Sequence, residues 1–172
     1  MKNKNPIFLT IITILMTTLF SGCAGYRLGS TLPEGINVIC VNQFTNKTGE
    51  PQLEIATTRA VIQEFQREGS LSIGEEKKSD IVLDVVLTGI KQQPLQYQRD
   101  RANTTREYRL TITASIVLRN RRTGKVMLSN PRIQGEEDFI PSGDLASSKR
   151  DAIPEAASDL AHDIVESVVE YW

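Results

Sequence analysis

The sequence predicts an α/β chain of the α+β sandwich kind, with two helices on one face of a roughly four-stranded mixed sheet in the order β-α-β-β-β-α. Three observations carry this expectation. Tyr108, Leu110, Ile112, Ala114, Ile116 and Leu118 alternate with Arg109, Thr111, Thr113, Ser115, Val117 and Arg119, a sustained period of two that marks a half-buried strand with one wet face. Ile153, Ala157, Leu160, Ile164, Val168 and Tyr171 recur at steps of three and four, the stripe of an amphipathic helix. Setting aside an apolar N-terminal stretch leaves about 150 residues, enough for one domain with a core of its own.

The elements follow in chain order. Residues 1–22 read as an export signal: Lys2 and Lys4 precede an apolar run from Ile7 to about Phe20, with small residues at the cut. The run is about 14 residues long and holds Thr10, Thr13, Thr17 and Thr18, whereas a spanning helix needs roughly 20 mostly apolar residues. Residues 23–35 form a lipidated cysteine and short Gly-rich tether, and 36–172 a single α/β domain. Residues 36–41 are β-branched and mostly apolar, as a covered strand requires, and 42–51 are a turn-rich linker. Residues 51–68 contain no glycine, with Ile55, Ile62 and Phe65 in helical register beside Val61, Pro51 suited to the first turn and Gly69 to the stop. Residues 80–91 place apolar groups on both faces, Ile81, Leu83, Val85 and Leu87 against Val82, Val86 and Ile90, a strand buried on both sides over part of its length. A polar connector spans 92–106. The period-two strand then turns through Asn120-Arg121-Arg122-Thr123-Gly124 into a second arm, where Pro131 demands a sheet edge or a bulge. The last helix starts near Ile153, with an earlier kinked turn allowed from Ala146, because Pro154 fits a first turn and not an interior.

Cys23, preceded by Leu19-Phe20-Ser21-Gly22, resembles the lipobox of bacterial lipoproteins, which implies a diacylglyceryl thioether on Cys23, cleavage before it and acylation of the new amino terminus. Each buried methylene contributes about 0.8 kcal/mol, so several chains anchor firmly. Removing the signal takes two lysines and no acidic residue, moving the formal net charge from −1 to −3, which disfavours a general affinity for nucleic acid. Cys40 is then the one remaining thiol, and Ile39-Cys40-Val41 casts it as a small buried hydrophobe.

The chain shows no catalytic pattern. His162 lies off the apolar stripe of its helix and reads as a surface residue, no Cys/His spacing suits a metal, and no Gly-rich loop leads a strand into a helix. Glu136, Glu137 and Asp138 are adjacent on a strand, so Glu136 and Glu137 point to opposite faces and cannot share an acid/base task. No enzyme activity, cofactor or metal is expected. The basic residues fall into two patches, Arg99, Arg101 and Arg106 with Tyr97 in the connector, and Arg119, Arg121, Arg122 and Lys125 at the turn, separated by roughly 30 Å along a strand at about 3.4 Å per residue. Either set of guanidinium forks suits phosphate, and either also serves to solubilise an exposed turn.

After Cys23 and Ala24 come Gly25-Tyr26-Arg27-Leu28, Leu32-Pro33, the strand, Phe44-x-Asn46-x-Thr48, and Pro51-x-Leu53-Glu54 opening a helix. This succession resembles the LptE family of lipopolysaccharide-assembly lipoproteins, Gly25, Tyr26, Arg27, Leu28, Phe44, Asn46 and Thr48 being the residues that carry it. The resemblance implies a small α/β protein inserted as a plug into the LptD β-barrel, supporting that barrel and aiding delivery of lipopolysaccharide to the outer leaflet. It also implies basic residues that meet the phosphorylated head, for which Arg99, Arg101, Arg106, Arg121, Arg122 and Lys125 are candidates. Ala24 supplies no aspartate retention signal, so the expected location is the periplasmic face of the outer membrane, held by lipid. The alternative is an outer-membrane lipoprotein regulator of a cell-wall synthase, which shares the strand, Phe-x-Asn-x-Thr and helix start. Such a regulator needs a long tether, and ten or so residues span only about 35 Å fully extended.

Overall fold

A computed structural model describes residues 35–97 and 105–172, and, within these, the side chains of all but residues 96, 97, 105 and 106. Cys23, the Gly25-Tyr26-Arg27-Leu28 start, Arg99 and Arg101 lie outside the described residues, and Arg106 is described only as backbone. Among the described residues, six strands form one sheet: β1 (Val38–Val41), β2 (Thr45–Asn46), β3 (Ser72–Ile73), β4 (Ile81–Tyr97), β5 (Thr105–Asn120) and β6 (Val126–Phe139). Their order is β3-β1-β4-β5-β6, with β2 pairing β4 beyond β1. The pairs on the β1 side are parallel and the β4-β5-β6 meander is antiparallel, a mixed sheet as expected. The extra strands are the two-residue β2 and β3.

Helix α1 (Leu53–Glu68) returns from β2 to β3, and α2 (Leu145–Val169) follows β6. Both contribute to one buried apolar cluster with Ile39, Ile81, Leu83, Val85, Leu87, Leu110, Ile112, Ala114, Ile116 and Leu118. Those strand residues are cross-strand partners, Ile39 with Ile81, Leu83 with Leu118, Val85 with Ile116 and Leu87 with Ala114, so they share one face, and the helices cover it. The other face carries the alternate set.

Several elements differ from the sequence reading. α1 begins at Leu53, after Gln52 in a left-handed conformation (φ 63°). Its buried stripe is Leu53, Thr57, Val61 and Phe65, while Ile55 is 48% exposed. A stripe through Ile55 and Ile62 and one through Leu53 and Val61 have the same period, and only packing against the neighbouring helix and the sheet selects between them. β4 runs on to Tyr97 and β5 starts at Thr105, so much of the connector is strand. A register shift between Leu87 and Gly89 leaves Thr88 as the extra residue, a bulge that turns Ile90 onto the helix face opposite Ile112. Pro131 sits where the β5–β6 register slips between Ala114 and Ile116 on the edge strand, as its missing N–H requires. α2 begins at Leu145, capped by Asp144, whose side chain accepts from Ser147 N at 2.9 Å, and Pro154 lies inside the helix. The cap and the burial of Ser148 and Ala152 carry the helix through the proline.

Helix and sheet approach closely at Gly135 of β6. A Cβ there would lie 2.2 Å from Leu160 N and 2.5 Å from Ala156 O, so the backbone of α2 rests directly on the strand.

Candidate interaction site

The face away from the helices bears the side chains that alternate with the core set. Asp84 pairs across to Val117, Val86 to Ser115, Lys91 to Thr111 and Gln93 to Arg109. On the β6 side Thr113 faces Gln134, Thr111 faces Glu136 and Arg109 faces Asp138. These neighbours form a lateral ladder. Arg109 grips Asp138 in a fork, Nε to Oδ1 at 2.6 Å and an Nη to Oδ2 at 2.8 Å, and its other Nη lies 3.0 Å from Glu136. Thr111 Oγ1 donates to Glu136 at 3.3 Å and Gln134 Nε2 to Thr113 Oγ1 at 3.0 Å. At the β1 end Asn42 Nδ2 and Arg119 Nε both donate to Asp84, each at 2.8 Å. The Asp138 carboxylate and its hydrogen bond raise the guanidinium of Arg109, and in return Arg109 holds the Asp138 carboxyl below its ordinary range. Sheet neighbours match one another here, so the face is polar and ordered without being sealed. Of the Arg109, Thr111, Thr113 and Ser115 face that the alternation predicts as open, Arg109, Thr113 and Ser115 are half-buried, while Thr111, which donates to Glu136, is only 8% exposed.

The family-motif residues inside the domain build the fold. Phe44 is buried, and its N–H donates to Thr58 Oγ1 at 3.1 Å. Asn46 Nδ2 reaches Glu50 O and Glu54 Oε2, both at 2.7 Å, while its Oδ1 accepts from the Thr48 N–H at 2.9 Å and hydroxyl at 2.7 Å. Phe44 pins the linker to the core, and Asn46 with Thr48 shapes the turn that aims α1. Asx and hydroxyl side chains bonding nearby backbone suit that task.

The basic patch at the β5–β6 turn is intact but not uniform. Arg121 Nε donates to Ser79 O at 2.6 Å, whereas Arg122 and Lys125 are exposed and make no close ion pair among the described residues. Arg119 belongs to the ladder through Asp84.

Glu136 and Glu137 do diverge. Glu136 lies on the open face with Thr111, while Glu137 pairs with Leu110 on the helix side. Burial, then Glu155, Asp138 and Asp159, raise the Glu137 carboxyl. His162 is 59% exposed as a side chain and its Nδ1 sits 3.3 Å from Glu64 Oε1, an interhelix contact that periodicity could not supply because Glu64 is on α1. Burial pushes the Cys40 thiol up, which suits packing and not nucleophilic attack. Among the described residues, no three His, Cys, Asp or Glu side chains converge as a metal-ligand set, and no helix is long and apolar enough to cross a membrane. A groove of about 430 Å³ between α1 and α2 is lined by Arg59, Gln63, Glu64, Arg67 and Glu155 among others, charged groups in contact with water.

Among the described residues, then, two helices pack on one face of a mixed sheet, and the other face carries a ladder of hydrogen-bonded side chains. Residues 36–168 match the LptE family, described as lipopolysaccharide-assembly. The chain belongs to that family, a non-enzymatic family of lipopolysaccharide-assembly lipoproteins. A Xanthomonas campestris protein has a similar fold at TM-score 0.54 and 12% identity, over 82% of this chain and 88% of that one. Lipoprotein B from Nitrosomonas europaea is similar at TM-score 0.51 and 12% identity, over 84% and 91%. A minor lipoprotein from Acinetobacter baumannii is similar at TM-score 0.51 and 12% identity, over 78% and 93%. At these identities the likeness is one of fold. Comparison with curated protein sequences gave no significant match.

Proposed function

We propose that this chain is the outer-membrane lipoprotein subunit of the lipopolysaccharide transport machinery, anchored through Cys23 at the periplasmic face, where it plugs and supports the LptD β-barrel and aids passage of lipopolysaccharide to the outer leaflet. The observation that carries the reading is the family match across residues 36–168. The uncovered face supports it. Arg109, Thr113, Ser115 and Gln134 offer donors and acceptors that a barrel wall could meet, and two of the cations on that face, Arg109 and Arg119, are already paired with Asp138, Glu136 and Asp84. The basic residues are proposed as contacts to lipopolysaccharide phosphates, with Arg99 and Arg101, and Arg106 beside them, taking the leading part.

Affinity capture of the tagged lipoprotein from mildly solubilised outer membranes tests the partner. A large β-barrel recovered in equal amount is expected; a cell-wall synthase in its place would move the chain to the regulatory class, and neither would end the proposal. In the same preparations, Arg99→Ala with Arg101→Ala is expected to weaken lipopolysaccharide binding more than charge removal at Glu166 and Glu170. Unchanged binding would remove those arginines from the ligand site.

A further inference from the structure

The end of the domain where the chain enters carries Arg121, Arg122 and Lys125, secondary candidates in the lipopolysaccharide reading, together with Lys77 and Lys78, which that reading leaves unused. Asp80 Oδ2 accepts hydrogen bonds from Asn37 N and Val38 N, both at 3.0 Å, so the entering chain is clamped to the start of β4. The β5–β6 turn is clamped to the same place: Arg121 N donates to Asp80 O at 3.0 Å and Arg121 Nε to Ser79 O at 2.6 Å. Ser79 directly follows a short 3₁₀ turn, Glu76–Lys78. Lys77, Lys78, Arg121, Arg122 and Lys125 are therefore gathered around the entry point, against Glu75 and Glu76. Lys78 pairs only loosely with Glu75, at 3.6 Å with both side chains mostly exposed. The turn is held in shape by Asn120 Oδ1, which accepts from Arg122 N and Thr123 N at 3.0 Å, and by Gly124 at φ +69°. Arg122 and Lys125 are presented outward beside Val126, which is 50% exposed.

These cations are spread over exposed turns and do not converge on a pocket, which suits an extended anionic surface better than a single small anion. Their position supplies the second argument. Cys23 lies twelve residues before Gly35, a reach of at most about 40 Å, so an anchor there holds this end of the domain near the bilayer. A basic patch beside a lipid anchor acts as the second membrane signal.

We propose that the tip formed by the β5–β6 turn and the 3₁₀ turn docks on the anionic headgroup phosphates of the bilayer that holds the anchor. The proposal rests on the reading of Cys23 as lipidated. Docking at this tip orients the domain, turning the start of α2 away from the surface.

Full-length protein purified from membranes is weighed by mass spectrometry to establish the lipid on Cys23. It is then reconstituted into vesicles carrying a headgroup quencher, made of phosphatidylcholine alone or with phosphatidylglycerol added, with a fluorophore on Thr123→Cys at the tip or on Ser142→Cys at the far end. The expected result is quenching of the tip label in the anionic vesicles, little in the zwitterionic ones, and little at residue 142 in either. Arg122→Ser with Lys125→Ser lowers the docked-to-undocked ratio about 25-fold, at roughly five-fold per cation, and neither side chain holds the fold together. Equal quenching at both labels, or tip quenching that survives removal of both charges, overturns the proposal. Quenching that appears only when lipopolysaccharide replaces phosphatidylglycerol at matched charge also overturns it and makes the tip a lipopolysaccharide contact. A mass without lipid ends the anchor reading separately; cosedimentation of that same chain with the anionic vesicles then decides the tip, which stands if binding falls in the double variant and fails if it does not.

Discussion

At Gly135, a single missing methyl group decides how closely helix and sheet approach. The Cβ of any other residue would lie within 2.5 Å of backbone atoms of Leu160 and Ala156, and backbone cannot step aside as a flexible side chain can. Gly135→Ala is expected to destabilise the domain by about 1–3 kcal/mol, read from the midpoint of denaturant unfolding at unchanged slope. Asp80 is a second residue whose effect is concentrated in few atoms. The Asn37 N–H, then that of Val38, with Arg122 and Arg121 nearby, hold its carboxyl below the ordinary value of 3.8. A carboxyl depressed in the folded state contributes stability that is present above its unfolded value and is lost as the pH falls through its folded one. Asp80→Ala is expected to cost about 1 kcal/mol at neutral pH through the two lost hydrogen bonds. Its unfolding free energy should also fall less steeply than that of the parent as the pH is lowered below 4, which parallel denaturant titrations at several pH values would measure.

At the scale of the element, α2 shows how tertiary packing overrides a local rule. Pro154 removes one intrahelical hydrogen bond and crowds the carbonyl of Arg150, at a cost of roughly 3 kcal/mol against alanine in a helix interior. The helix nonetheless runs from Leu145 to Val169, because Asp144 caps its start and Ala152, Ala156, Ala157, Leu160, Ile164 and Val168 are buried along it. Pro154→Ala is expected to stabilise the domain by about 1–2 kcal/mol, less than the full helix penalty because proline also stiffens the unfolded chain. A rise in the unfolding midpoint with unchanged helical signal would bear this out, and a fall would show that the proline is needed for the seat of α2 on β6. α1 makes the complementary point. Its period is plain in the sequence, but which of two stripes turns inward depends on α2 and the sheet, and Leu53 with Val61 takes the place that Ile55 and Ile62 could have filled.

At the scale of the whole molecule, the two layers sort the chain into a sealed side and a presented side. The helices cover Leu83, Val85, Ile116 and Leu118, and the other face presents half-buried residues such as Thr113 and Ser115 to solvent or a partner, with Arg109 and Arg119 neutralised in place by Asp138 and Asp84. Membership in the LptE family gives that open face its context. The two basic patches lie toward different ends of β5, since the turn follows Asn120 and Arg106 lies near the strand start. One protein can therefore meet a bilayer at one end and a phosphorylated ligand at the other, as the two proposals require.

The alternation of residues 108–119, the apolar stripe after Ile153 and the β-branched run at 36–41 determined by themselves the element types, their order and the existence of a wet sheet face, because the periods of strand and helix are local properties. The succession from Gly25 to Glu54 likewise pointed to the family. Only the tertiary structure decided that Phe44, Asn46 and Thr48 build a turn, that the Thr88 bulge brings Ile90 to the core, that Glu64 meets His162, and that Arg121 joins the 3₁₀ turn to the chain entry. Each of those depends on which atoms from distant parts of the chain come within hydrogen-bond or van der Waals reach, and a sequence pattern records spacing along the chain, not distance in space.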